Sequence, residues 1–222
     1  MKKQTLYYLP KSVNENSSLS FEKEVYPKVI SEGKMSCFVT KHRYYSIGSW
    51  ERMELTKKFF EKRKVVFLDR DGTINVRPPK ACYVEKPEDF VWIEGAKQAI
   101  KVLKEKKYNI YIVSNQPGIA RGNLDKSTLE LIHTKMRNEL REIGTDVDGI
   151  YLCPHNWDEG CECRKPKPGM FFQAQKEHSL NLSECILIGD DERDIQAGES
   201  AGIKKNILVT EDYTLWDAVQ LL

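Results

Sequence analysis

Five short apolar runs, each breaking off into polar or acidic residues, constrain this 222-residue chain more than any other feature. They lie at 64–69 (KVVFLD), 109–114 (NIYIVS), 149–153 (GIYLC), 185–189 (CILIG) and 205–209 (KNILV). Continuous runs of this length, rich in β-branched and aliphatic residues, suit strands buried on both faces. Between them, 96–106, about 125–143, 170–178 and 194–201 carry helical spacing. The longest of these has Leu129, Ile132, Met136 and Leu140 as its buried stripe. Asp125 or Ser127 is placed to cap it, and Ser127 with Glu130 has capping-box spacing. Strand and helix in alternation predict an α/β fold, a parallel sheet sandwiched by helices.

In such a sheet, ligands bind beyond the carboxyl ends of the strands. The residues there are Asp69-Arg70-Asp71-Gly72-Thr73, Ser114-Asn115-Gln116, the 153–164 loop and Gly189-Asp190-Asp191. Asp69 and Asp71 are two apart in extended chain and point the same way. Paired acids repel unless a cation or a shared proton lies between them. Asp190, at another strand end, is the natural third oxygen donor, and such a set suits Mg2+. D-x-D-G alone also occurs in turns and calcium loops; the other polar strand ends turn it into a phosphoryl-transfer reading. One aspartate would attack phosphorus while the other protonates the leaving oxygen. Ser114 offers a hydroxyl and Lys165 a point charge to the equatorial oxygens.

Cysteine usage adds a second site. Cys37, Cys82 and Cys185 are scattered, but Cys153, His155, Cys161 and Cys163 fall together. Three sulfurs and one imidazole make a closed tetrahedral set for structural Zn2+, with no position left for substrate. The loop runs directly into Arg164-Lys165-Pro166, so a zinc ion there would set these two cations against the carboxylates.

Composition excludes several classes. Charged residues at 31% and the hydrophobic set at 40% support a packed core. With 35 basic and 33 acidic side chains the net charge is +2, which gives no whole-chain grip on nucleic acid or membrane. No stretch approaches 18 apolar residues, and the first residues lack a signal-peptide core, so a cytoplasmic protein is expected.

Residues 65–75 (VVFLDRDGTIN) resemble the first motif of the haloacid dehalogenase (HAD) phosphatase superfamily. Val113-Ser114-Asn115-Gln116 looks like its second motif, Lys165 its third and Gly189-Asp190-Asp191 its fourth. The resemblance implies Asp69 as the nucleophile that becomes an aspartyl-phosphate, and Asp71 as general acid and then base. It implies Mg2+ held by Asp69, the Asp71 carbonyl and Asp190, with Ser114 and Lys165 steadying the phosphoryl group. Residues 161–166 (CECRKP), 116–122 (QPGIARG) and 167–170 (KPGM) are similar to the D-glycero-D-manno-heptose 1,7-bisphosphate 7-phosphatases, relatives of the histidinol-phosphate phosphatases. Carry-over makes Arg164 a substrate-recognition residue and Asn115 a phosphate-side contact. These enzymes usually carry lysine after the fourth-motif aspartate, where this chain has Asp191. Asp191 or Asp194 would then join the metal shell, or Lys167 would supply the missing charge.

The expected organisation is an extension at 1–63 and a phosphatase domain at 64–222. No large cap domain is expected, because only about twenty residues separate Thr73 from the next helix. In the extension, 21–30 approaches helical spacing broken by Pro27, 37–47 is rich in strand formers, and 50–63 reads as a helix with Met53, Leu55, Phe59 and Phe60 on one side. Residues 20–27 (SFEKEVYP) and 45–49 (YSIGS) resemble the end of sugar-phosphate nucleotidyltransferases. That implies a remnant of such an enzyme, or association with or fusion to one, in nucleotide-activated heptose synthesis, and leans toward the α anomer; the alternative is an unrelated α+β extension that packs on the phosphatase or aids dimerisation. The nucleotide loop is missing and Ser46 stands where that family places an aspartate, so no nucleotidyl transfer is expected. The expected activity is a phosphatase for a small sugar phosphate. Its alternatives are a histidinol-phosphate or other small-monoester phosphatase and a non-catalytic zinc-stabilised module. A nucleic-acid-end phosphatase is disfavoured by the neutral charge.

Overall fold

Strand β1 (Lys64–Leu68) lies at the centre of a five-stranded sheet with β2 (Tyr108–Asn115), β3 (Gly149–Cys153), β4 (Ile186–Gly189) and β5 (Lys205–Leu208). The order is β3-β2-β1-β4-β5 and every pairing is parallel, with Leu68 opposite both Ile112 and Ile188. The computed structural model describes residues 8–9, 20–36, 44–79 and 82–222. It divides into two compact units, Met1–Thr40 and Lys41–Leu222.

The alternation of side chains along β1 builds two cores. Val66 and Leu68 pack with Ile100, Leu103, Ile110, Ile112, Ile132, Met136 and Leu140 beneath α4 (Ala96–Glu105), α5 (Lys126–Glu142) and α8 (Leu215–Gln220). Val65 and Phe67 pack with Val113, Phe171, Ala174, Leu187 and Ala197 beneath α6 (Gly169–His178) and α7 (Glu192–Ala201). Each fully buried aliphatic or aromatic side chain contributes about 1.5–3 kcal/mol, and Phe67, Leu68, Ile112 and Phe171 are all fully buried. The expected stripe Leu129, Ile132, Met136 and Leu140 is buried as well. Helix α8 had no counterpart in the sequence reading; its capping box, Thr214 with Asp217, starts it after the last strand.

Chain order reverses at β1: β2 and β3 extend one way, β4 and β5 the other. A crevice opens at such a switch point, beyond the carboxyl ends of β1 and β4. That places Asp69 and Asp190 on opposite lips of one opening.

Helix α3 (Trp50–Phe60) belongs to the second unit and leads into β1. It ends at Phe60, short of the expected 63; Met53, Leu55 and Phe59 are half-buried, whereas Phe60 is 71% exposed. The Thr56 hydroxyl donates to the Ser46 carbonyl at 2.9 Å and the Tyr45 ring stacks against Phe59, which seats the preceding segment on α3. The first unit contains α1 (Phe21–Glu24) and α2 (Tyr26–Ser31), with Pro27 in the first turn of α2, where a missing N–H is harmless. Of the expected strand at 37–47, residues 37–43 lie outside the described residues and 44–47 are irregular; the polar segment 11–19 also lies outside them. Among the described residues no helix is long and apolar enough to cross a membrane.

Helix α5 is capped by Asp125, which accepts from the Thr128 N–H at 2.7 Å and from the Ser127 hydroxyl at 2.8 Å. The Ser127–Glu130 box is not used. Asp125→Ala should therefore lower the urea unfolding midpoint, and Ser127→Ala should lower it much less.

Candidate active site

The site is built on a buried ammonium. Lys165 Nζ lies 2.5 Å from Asp69 Oδ1 and 2.6 Å from Asp194 Oδ1, and donates to the Val113 carbonyl at 2.9 Å. All three side chains are almost completely buried. The Asp69 N–H donates to the Ile188 carbonyl, extending the β1–β4 ladder by one bond and fixing the carboxylate at the crevice. Asn115 holds Lys165 from the other side: its Nδ2 donates to the Lys165 carbonyl at 3.1 Å and its Oδ1 accepts the Lys165 N–H at 3.0 Å. Asn115 thus positions Lys165, a task the sequence did not reveal.

Burial pushes the Asp69 carboxyl up to about 7; Asp194 and Asp71 push it the same way and Lys165 opposes them. Burial would lower Lys165, but the two facing carboxylates outweigh it and keep the ammonium charged.

Asp71 has a different environment. The fully buried Arg70 forks onto both its oxygens at 2.9 Å, and Asn75 and Gln116 donate at 2.9 and 2.7 Å. Burial alone would raise this carboxyl, yet Arg70, Asn75 and Gln116 hold it below the usual carboxylate range. Gln116 also donates to the Ser114 hydroxyl at 2.8 Å, joining the second strand end to the first. Behind Arg70, its Nη1 meets His133 Nε2 at 3.2 Å. A guanidinium only donates, so Nε2 accepts and the neutral imidazole carries its proton on Nδ1. Burial, then the Arg70 charge, depress the histidine to about 3.

Gly72 turns the chain after Asp71 at φ +98°, and a Cβ there would overlap the Asp190 carboxylate. Only glycine allows both the turn and this approach. Asp69, Asp190 and Asp194 consequently bring one carboxylate oxygen each to within 4.8 Å of one another. An all-oxygen donor set, crowded and partly buried, fits a hard divalent cation. The Asp71 carboxylate is not in this group; its backbone carbonyl accepts from Arg77 Nε at 3.3 Å. Asp194, which the sequence offered only as a substitute, is in the group. Asp191 faces elsewhere, capping α7 and pairing with Arg193 at 2.7 Å and Arg77 at 3.4 Å. Arg77 also pairs with Asp190 at 2.8 Å. Lys167 pairs with Glu162 and the Gly160 carbonyl.

A cavity of about 350 Å³ is lined by Asp69, Asp71, Ser114, Asn115, Arg164 and Lys165, all of them sequence candidates. Arg77, Tyr83, Gln116, Arg193 and Asp194 complete much of its wall. Arg77 and Arg193 sit in no recognisable motif, and only the fold brings them to the rim.

Cys153, His155, Cys161 and Cys163 converge at the end of β3, with one ligand atom each within 4.8 Å of the others. His155 Nδ1 is 3.2 Å from Cys163 Sγ and 3.6 Å from Cys153 Sγ, and Cys153 and Cys161 are 3.6 Å apart. Tetrahedral zinc with Zn–S of about 2.3 Å needs edges of about 3.7 Å, so the donors fit. A Cβ on Gly169 would strike the Glu162 backbone, so the chain folds back against the cluster where α6 begins. Arg164 Nη1 donates to the His155 carbonyl at 3.2 Å, which ties its guanidinium to this loop.

Residues 64–218 match a family model described as polynucleotide kinase 3 phosphatase. A Photorhabdus laumondii D-glycero-alpha-D-manno-heptose-1,7-bisphosphate 7-phosphatase is 42% identical over 155 residues, 67% of this chain and 83% of that protein. A Helicobacter pylori D-glycero-beta-D-manno-heptose-1,7-bisphosphate 7-phosphatase is 40% identical over 150 residues, 67% of this chain and 84% of its own. The crystal structure of D,D-heptose 1,7-bisphosphate phosphatase from B. bronchiseptica, complexed with magnesium and phosphate, superimposes with a TM-score of 0.66 at 32% identity, covering 71% of this chain and 97% of that one. The chain belongs to this family of HAD-like phosphatases. It is a phosphoric monoester hydrolase.

The phosphatase's His133 gives a pH-dependent signature. Its folded-state value of about 3 lies below that of a free histidine, so protons bind the unfolded chain preferentially between about 3 and 6.5. Stability from this residue is complete above that window and is lost as pH falls through it. Between pH 6.5 and 5 the unfolding free energy of the unsubstituted protein should fall by about 2 kcal/mol more than that of His133→Gln. Parallel curves for the two proteins in urea titrations would contradict this.

Proposed function

We propose that this chain removes the 7-phosphate of D-glycero-D-manno-heptose 1,7-bisphosphate. The observation that carries the chemistry is Lys165, clamped between Asp69 and Asp194 beside Asp190 at the topological switch point. The substrate comes from the relatives, named for the α or the β anomer of this bisphosphate at about 40% identity. The Photorhabdus relative named for the α anomer keeps that choice beside the β one.

Asp69, Asp190 and Asp194 would hold Mg2+, with the Asp71 carbonyl as a further oxygen ligand; when bound, the ion offsets charge on the phosphoryl oxygens and keeps Asp69 ionised. An Asp69 oxygen attacks phosphorus, the ester P–O bond breaks, and Asp71 gives its proton to the departing sugar oxygen. Water then attacks the aspartyl-phosphate and passes a proton back to Asp71. The acyl-phosphate P–O bond breaks, releasing inorganic phosphate. Arg70, Asn75 and Gln116 aim Asp71 throughout, and their preference for its charged form favours the second half-reaction, in which it acts as base. Lys165 and Ser114 face the equatorial oxygens, and removing one such contact typically costs ~10²–10³ in rate. Asn115 keeps Lys165 aimed.

Asp69→Asn should lower kcat for phosphate release from the bisphosphate by at least about 10³-fold with the circular dichroism spectrum unchanged. Retained turnover would remove the nucleophile assignment. Phosphate release from histidinol phosphate at a higher kcat/KM than from the bisphosphate would instead reassign the substrate.

Cys153, His155, Cys161 and Cys163 would bind Zn2+ as a structural ion that sets Arg164 and Lys165 in place. Purified protein should contain about one zinc per chain. Stripping it with a chelator should lower the thermal midpoint and the activity together. A fully active preparation without zinc would refute the assignment.

A further inference from the structure

The rim of the cavity carries three guanidiniums, Arg77, Arg164 and Arg193, more cation than one transferring phosphoryl group needs. Each has an anchor. Arg77 spans Asp190 and Asp191, and Arg164 is tied to the His155 carbonyl. Arg193 is gripped side-on by Asp191, its Nε at 2.8 Å from Oδ1 and its Nη2 at 2.7 Å from Oδ2. That grip occupies one edge of a planar fork with five N–H donors and fixes the plane of the rest.

Arg164 and Arg193 also line a second hollow of about 300 Å³, floored by the cysteine-rich loop and shared with Trp157 and Lys167. The two arginines therefore stand between the phosphoryl site and this outer hollow, along the path that a substrate longer than its scissile phosphate must follow. The Arg193 side chain is 52% exposed, and its nearest acid, Asp191, is shared with Arg77. Asp191 thus serves as the anchor that aims the free edge of Arg193 into the opening.

We propose that Arg193, held by Asp191, is a specificity-determining residue that receives a second anionic group of the substrate, the phosphate that is not hydrolysed. The inference rests on the phosphatase reading above and adds a recognition role to it. Arg193 contacts no reacting atom, so its effect falls on binding of doubly phosphorylated substrates and spares the chemical step. Charge-assisted hydrogen bonds of this kind are worth about a factor of ten or more in affinity.

The test separates binding from turnover. In full-length Asp69→Asn protein with Mg2+ present, calorimetry compares heptose 1,7-bisphosphate with heptose 7-phosphate. Adding Arg193→Ala should weaken the bisphosphate at least tenfold and the monophosphate less than threefold, with Arg193→Lys in between. Asp191→Asn keeps a helix-capping side chain and should weaken the bisphosphate selectively in the same sense. In the otherwise unsubstituted enzyme, Arg193→Ala should raise KM for the bisphosphate and hold kcat within about threefold. Equal weakening of both ligands, or unchanged bisphosphate affinity, overturns the inference and leaves Asp191–Arg193 as a helix-end ion pair. Failure of the unsubstituted protein to release phosphate overturns the phosphatase reading, and the calorimetric comparison still decides this one.

Discussion

The arrangement depends on one buried ammonium shared by two buried carboxylates. Taking a lysine and two aspartates out of water costs several kcal/mol per ion, and only close, well-aligned pairing recovers it. Removing one member of such a buried set typically destabilises by about 3–5 kcal/mol, because an uncompensated charge is left behind. Lys165, Asp69 and Asp194 come from three separated segments, so this pairing welds the end of β1, the start of α7 and the cysteine-rich loop at one point. The loop has too little apolar surface to hold Lys165 by its own packing. Its remaining supports are the Asn115 clamp on the Lys165 backbone and the four convergent metal-type ligands at the end of β3.

Around that point the fold separates two acids that are only two residues apart. Asp69 sits among other carboxylates and is pushed up; Asp71 sits in the fork of Arg70 and is pulled down. The raised Asp69 needs a bound cation to stay ionised for attack, and the lowered Asp71 is biased toward its role as base in the second half-reaction. Here the divergence follows from the partners the fold supplies: Asp69 meets Lys165 beside Asp194 and Asp190, whereas Asp71 lies in the fork of Arg70, which is backed by His133 from α5.

The legible part of this architecture was the part written in period and spacing. Alternating runs predicted all five strands; of the expected site residues, Asp69, Asp71, Ser114 and Lys165 line one cavity, and Asp190 lies beside Asp69. The cysteine spacing anticipated a cluster that the fold does assemble. What stayed hidden were side chains whose meaning depends on tertiary partners. Arg70 enters the sequence argument only as the residue between two acids, yet it is fully buried, with Asp71 and His133 satisfying its donors. Asp194 reads as part of a helix start, D-x-x-D, and it does accept from the Asp191 N–H at 3.1 Å. The same carboxylate also faces Lys165, and no spacing rule conveys that double use. Phe60 shares a side of α3 with Met53, Leu55 and Phe59 by helical spacing, yet as the last residue of the helix it is exposed.

Chemistry and recognition occupy different kinds of position in this molecule. Asp69, Lys165 and Asp194 are buried, and each is fixed by a strand end, a clamped loop or a helix start. A substitution there disturbs packing and charge balance together. Arg193 and Trp157 stand at the rim, half or more exposed, and Arg77, slightly less exposed, pairs there with Asp190 of the acid cluster. With only a short connection between β1 and α4, no separate domain closes over the crevice among the described residues, so selectivity has to come from this rim. Arg193 reaches this rim from the first turn of α7. Asp191 is stabilised by Arg193 and Arg77, and it serves both as the cap of α7 and as the anchor for Arg193.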